Sequence, residues 1–213
     1  MPLQQALENA YVAGWRAARS GAVRTGLLAR LEARDGHVAG HVRSLFAIHD
    51  VADMIDLDLA WWTYDAVAAV DEHLAARGGQ ARVFEYGAGA STAWLARRAG
   101  EVTSVEHDTG FAEYLTALLE PAWPVDLRVV APEPSAAPTV PSQRRGYSGL
   151  DFARYVHAID GVPGEFDLVV VDGRARVACA RRAIGRLTPD GLLLLDNANR
   201  AEYAPVVHDP ALD

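Results

Sequence analysis

Residues 82–92, RVFEYGAGAST, constrain this chain more than any other stretch. Val83 and Phe84 are β-formers, Gly87 and Gly89 can take backbone angles that a Cβ forbids, and the apolar residues of 91–98 recur with helical spacing. The segment predicts a buried strand, a glycine turn and a helix in succession. Such a turn aims backbone N–H groups and a helix N-terminus at whatever lies above the strand, which suits a nucleotide-like ligand.

A dinucleotide fingerprint asks for a third glycine where this chain has Thr92. What the stretch has instead is an acid, Glu85, just before the first glycine, and a second acid, Glu106, closing the apolar run that starts at Val102. An acid at the end of a second strand can accept hydrogen bonds from both hydroxyls of a ribose. Glu85 would repel a pyrophosphate but suits a cationic amino-acid group.

Together these residues resemble motif I and the following acidic motif of class I S-adenosylmethionine-dependent methyltransferases. The resemblance covers roughly residues 60–200. It implies a Rossmann-like α/β sheet and S-adenosyl-L-methionine as cofactor. Glu85, Tyr86, Gly87, Ala88, Gly89, Ser91 and Thr92 would form the turn under the methionine part, Glu106 would hold the ribose, and His107 and Asp108 would flank the adenine. Asp172 and Gly173 would complete the cofactor site.

Residues 165–173 read as a buried parallel strand ending in Asp172, residues 177–187 as a helix, 188–191 as a turn and 192–197 as the next strand, ending in Asp196 and Asn197. Ligands of open α/β sheets sit outside the carboxyl ends of the strands, so Glu85, Glu106, Asp172, Asp196 and Asn197 are expected on one rim. The last two strand ends resemble those of cation-dependent, catechol-type O-methyltransferases. That resemblance implies Mg2+ on Asp172, Asp196 and Asn197, and methyl transfer to oxygen. The family's catalytic lysine falls on Ala175, between Arg174 and Arg176. Arginine stays protonated, which leaves Asp172 or a histidine such as His107 as the base, or no base at all if the substrate is already acidic.

Ahead of the central strand, residues 3–19, 41–54 and 60–77 read as helices, the last ended by Gly78 and Gly79. The expected organisation is a helical N-terminal cover over residues 1–78 and a cofactor-binding α/β domain over 79–213. Trp61 and Trp62 are placed as walls of the pocket, where an aromatic face attracts a sulfonium. His37 and His41 share a spacing that suits a metal, but no third ligand stands at a fixed distance from them. Prolines at 132, 134, 138 and 141 predict an irregular loop as far as Tyr147, which with Arg144, Arg145 and Arg174 would meet an anionic or aromatic substrate.

A net charge of -8 argues against a nucleic-acid partner and for a small-molecule acceptor. No apolar run approaches the ~18 residues of a membrane span, and one cysteine, Cys179, suits a reducing cytoplasm. All 20 basic residues are arginine, which with the abundant alanine suggests a bacterial, GC-rich source. Only a short segment follows residue 197, so an open sheet edge and a homodimer are expected. Two alternatives remain at this level: an NAD-dependent oxidoreductase, and a non-catalytic binding protein that retains the methyltransferase fold.

Overall fold

The structure, a computed structural model, describes residue 25, residues 51–142 and residues 146–212. The helix expected over 3–19, most of that over 41–54, and His37, His41, Arg144 and Arg145 lie outside the described residues. The chain divides into residues 1–59 and residues 60–213. In the first part, helix α1 (Val51–Asp56) is closed by Leu59 N donating to Met54 O at 2.8 Å.

The second part begins with α2 (Tyr64–Ala75), which Thr63 caps by accepting from Ala66 N and which the positive φ of Gly78 and Gly79 turns away from. Then follow β1 (Arg82–Tyr86), α3 (Ala90–Ala96), β2 (Glu101–Glu106), α4 (Thr109–Thr116) and β3 (Val125–Val129). A two-residue strand β4 (Glu133–Pro134) pairs antiparallel with β5 (Leu150–Asp151). The chain continues through α5 (Ala153–Val156), β6 (Phe166–Val171), α6 (Arg176–Ile184), β7 (Leu187–Leu195) and α7 (Ala204–Val207). No helix among the described residues is long and apolar enough to cross a membrane.

The main sheet is parallel throughout, in the order β3-β2-β1-β6-β7. This is a Rossmann-like α/β fold, wound outward in both directions from β1. A sheet covered on both faces must be apolar on both, and the strands comply. Phe84, Tyr86, Val169 and Val171 pack on one face with Phe152, Tyr155 and the buried side of α6. On the other face, Val83, Val102, Leu168 and Val170 pack against Val70 and Leu74 of α2 and Trp94 and Leu95 of α3.

Two local expectations are corrected. Residues 188–191 are not a free turn but part of β7, where five steps from Leu187 to Leu192 face two steps from Phe166 to Leu168. The Thr-Pro-Asp-Gly chemistry survives as a bulge whose tip, Pro189 and Asp190, is exposed. The described part of the proline-rich loop is also more ordered than its composition predicts. Beyond the β4–β5 pair, the Asp151 carboxylate accepts from Thr139 N and Oγ1 at 2.8 Å each, from Val140 N at 3.1 Å and from Ala153 N at 2.9 Å. Those donors hold its carboxyl down at about 2.

At the ends of β1 and β6 the backbones nearly touch. A Cβ on Gly87, whose φ is +94°, would lie 2.5 Å from the Gly173 backbone. A Cβ on Gly173 would run into the Tyr155 hydroxyl and lie 2.9 Å from Gly87 N. That hydroxyl is buried against the Arg174 backbone without an aligned hydrogen bond. Gly173→Ala should therefore cost about 1–3 kcal/mol in urea unfolding, and Tyr155→Phe should recover part of the loss while costing little alone. A Gly173→Ala variant as stable as the parent would show that the two strand ends are not held this close.

Candidate functional site

The strand register lines up the chemistry. Tyr86 stands opposite Val105 and Val171, and Val171 stands opposite Leu195. The next residues along, Glu106, Gly87, Asp172 and Asp196, therefore form one row at the carboxyl end of the sheet. The order of strands reverses between β1 and β6, and open sheets of this kind bind ligands at that crevice.

Glu85 sits two residues below the row and is fully buried. Its carboxylate accepts from Ser104 Oγ at 2.5 Å, Ser91 Oγ at 2.5 Å and Thr92 Oγ1 at 2.6 Å. Burial pushes its pKa up, and the three hydroxyls pull it back. The sequence reading turned this acid toward the cofactor; the structure turns it inward, as the tie between β1, β2 and α3. Thr92, at the third-glycine position, also accepts from Gly89 N at 2.9 Å. Gly87 N donates to Val105 O at 2.9 Å. Two of the turn's amides are thus spent inside the protein. Gly89 itself stays open, since a Cβ there would meet only Ser91 Oγ, at 3.9 Å. Ala88 is buried beside it. Tyr86 donates its hydroxyl to Val156 O at 2.7 Å within the core, so only its backbone belongs to the rim.

Glu106 is nearly buried and held by its own turn: Oε1 accepts from His107 N at 2.7 Å and Asp108 N at 2.8 Å. Among the described residues, no hydrogen bond reaches its Oε2. His107 Nδ1 lies 2.5 Å from Oε1, without hydrogen-bond alignment. Its Nε2 meets the Tyr147 hydroxyl at 2.7 Å, and its ring packs among Tyr147, Phe152 and Tyr155. The structure thus joins Glu106, His107 and Tyr147 into one array. The Arg174 guanidinium lies 5.3 Å from the centre of the Tyr147 ring. Asp108 caps α4 by accepting from Phe111 N at 2.8 Å.

Asp172, Asp196 and Asn197 do come together, but around a cation that the chain supplies. Arg176 donates to Asp172 Oδ1 at 2.6 Å and Asp196 Oδ2 at 2.8 Å, and also to the carbonyls of Asp172, Gly173 and Asp196. Asn197 donates to Asp196 Oδ2 at 2.6 Å and accepts from Arg200. The guanidinium stands where a divalent ion would need to bridge the two carboxylates, and the donor set as folded does not fit Mg2+. No group of three or more His, Cys, Asp or Glu residues that could hold a metal occurs among the described residues. Sequence reasoning missed the role of Arg176, and helical spacing could not have found it, because Asp172 follows β6 and the helix begins only at Arg176.

The five arginines between residues 174 and 186 split by partner. Arg182 pairs with Asp160 at 2.6 Å, and Arg186 caps the carbonyls of Ile159, Val162 and Gly164. Arg174, Arg176 and Arg181 line a cavity of about 820 Å3 that opens from Gly173. Trp61 and Trp62 are not among the cavity's lining residues. Trp61 is exposed, and Trp62 packs edge-on against Trp94 at 5.7 Å, on the α2–α3 face.

Neither a protein-family model nor a curated protein matches the chain. Among solved structures, it is similar to a methyltransferase-like protein from Silicibacter pomeroyi, with 25% identity and a TM-score of 0.48 over 70% of this chain and 78% of that one. It is also similar to CalS10, an amino pentose methyltransferase from Micromonospora echinaspora, at 21% identity and a TM-score of 0.39, over 64% of this chain and 50% of that one. An rRNA methylase from Streptococcus thermophilus shares 14% identity with a TM-score of 0.44, over 67% and 79%. These superpositions are loose. The reading of the site rests on its own residues.

Burial and the neighbouring Asp196 carboxylate hold Asp172 far above the ordinary carboxylate range, at about 8, despite Arg176. Because the folded value exceeds the unfolded one, the stabilising contribution is complete below the ordinary carboxylate range and is lost as pH rises toward about 8. Asp172→Asn should flatten the fall in Tm between about pH 4 and about pH 8, read by scanning calorimetry. Parallel curves for parent and variant would show that this carboxyl titrates normally.

Proposed function

We propose that this chain is an S-adenosylmethionine-dependent methyltransferase acting on a small molecule at oxygen. The observation that carries the reading is Glu106: a carboxylate fixed through one oxygen by two backbone amides, level with an open glycine turn at the reversal point of the sheet. The other oxygen suits the two hydroxyls of a ribose. The open side of Gly89 leaves room for the remainder of the cofactor.

S-adenosylmethionine supplies an activated methyl group, so the protein's task is to align the acceptor and exclude water. Asp172 holds a proton through the neutral range and is a poor base there. His107 is better placed. Its Nε2, 2.7 Å from the Tyr147 hydroxyl, can take a proton through that hydroxyl as the acceptor oxygen loses one. Arg176 makes a bridging metal superfluous at Asp172 and Asp196.

An NAD-dependent oxidoreductase is less well supported. Gly87 N and Gly89 N, two natural donors to a pyrophosphate, are already used within the protein, and Glu85 lies directly beneath them. β7 is the last strand of the sheet, and among the described residues no strand pairs with its outer side, which keeps pairing with a second copy within the proposal.

Isothermal titration with S-adenosylhomocysteine should show saturable binding, weakened at least about tenfold by Glu106→Ala. Turnover on a panel of hydroxylated acceptors should be unchanged by chelator or added magnesium. Binding of NADH without binding of S-adenosylhomocysteine would replace this reading with the oxidoreductase one.

A further inference from the structure

We infer that the cavity beside Gly173 takes a small organic anion, bearing a carboxylate or a phosphate, through the guanidinium groups of Arg174, Arg181 and Arg200. This names the acceptor class for the proposed methyltransferase, and depends on that reading only for what happens to the ligand once bound.

The cavity holds about 820 Å3, ample for a small organic molecule. Four arginines line it, and Glu202 is the one acid among the lining residues. Only Arg176 is neutralised, by Asp172 and Asp196. Among the described residues, Arg174, Arg181 and Arg200 pair with no carboxylate. Arg174 lies over the Tyr147 ring with its Nε buried and without a hydrogen-bond partner. Arg200 reaches only the neutral Asn197 and Tyr203.

This is unusual in an acidic protein. Elsewhere Arg77, Arg82, Arg98, Arg128, Arg154 and Arg182 each meet an acid within 3.1 Å. A chain with net charge -8 has carboxylates to spare, so leaving three guanidinium groups without one around a single cavity reserves that charge for something that enters. Planar guanidinium forks match the geometry of carboxylate and phosphate. Val140, Pro141, Val177 and Ala178 supply the apolar remainder of the lining, which suits an anion with a hydrocarbon or aromatic body rather than a bare inorganic ion.

The cavity also adjoins the proposed methyl-transfer centre. Gly173 both lines it and touches the Gly87 turn, and Arg174 links it to Tyr147 and His107.

The test is isothermal titration of the full chain with phenyl phosphate, 4-hydroxybenzoate, inorganic phosphate and neutral 4-hydroxybenzyl alcohol. S-adenosylhomocysteine is titrated into the same preparations. At least one of the two organic anions should bind, with the affinity falling about tenfold or more in Arg181→Gln and in Arg200→Gln. Both residues are exposed, so the variants should fold. Arg182→Gln, on the same helix but paired with Asp160, should bind like the parent. Phenyl phosphate binding better than 4-hydroxybenzoate would identify a phosphate site, and the reverse order a carboxylate site. The inference is overturned if neither organic anion binds at millimolar concentration, if the neutral alcohol binds as well as the anions, or if the Arg181 and Arg200 variants bind like the parent. Anion binding without S-adenosylhomocysteine binding would keep this site and remove the methyltransferase. The opposite result would do the reverse.

Discussion

A carboxylate sealed inside a parallel sheet is costly unless its oxygens are satisfied, and Glu85 is satisfied by three hydroxyls from two different elements. Ser104 stands directly across from it on β2, and Ser91 and Thr92 come from the first turn of α3. One buried group therefore fixes where β1 ends, how α3 leaves it and which residue of β2 lies alongside. Thr92 passes the constraint on to Gly89 N, and so sets the shape of the bend itself. The openness at Gly89 and the level of Glu106 both follow from that knot.

The second organising principle is electrostatic. Asp172 and Asp196 emerge side by side from adjacent strands, an arrangement that would be self-repelling without a cation. Arg176 provides it from the first turn of the helix that follows β6, reaching both carboxylates and three carbonyls at once. One proton retained on Asp172 and one guanidinium then leave the cluster close to neutral. This local solution separates the chain from a metal-binding arrangement built on the same positions.

The fold was legible because parallel strands buried on both faces tend to be written as near-continuous apolar runs, as residues 166–171 and 192–195 are, and because the glycine turn after Tyr86 marks the end of the first strand. The polar strand ends Glu106, Asp172 and Asp196 were legible for the same reason, as interruptions that packing alone does not require. What escaped was the direction in which side chains spend their hydrogen bonds. Glu85 and Glu106 look alike in sequence, yet one faces α3 and the other its own following turn. Thr103 and Ser104, two hydroxyls in a strand with no exposed face, were the overlooked hint that an acceptor lay nearby. The Thr-Pro-Asp-Gly segment was correctly read as irregular. Only the register with β6 shows that the irregularity lies within a strand. The clasp made by Asp151 joins residues a dozen positions apart, beyond the reach of any local pattern.

The absence of lysine has a consequence at the arginine-lined cavity. A guanidinium does not titrate at any pH the fold would survive, so the positive field over that opening is a fixed property, as constant as the shape of its walls. Acidity can alter occupancy by changing the visitor or the carboxyl groups nearby, Glu202 in the lining and Asp172 beside Arg176, but not the guanidinium groups themselves. A cavity so lined would sort its visitors by their own ionisation, favouring each in the form that carries negative charge.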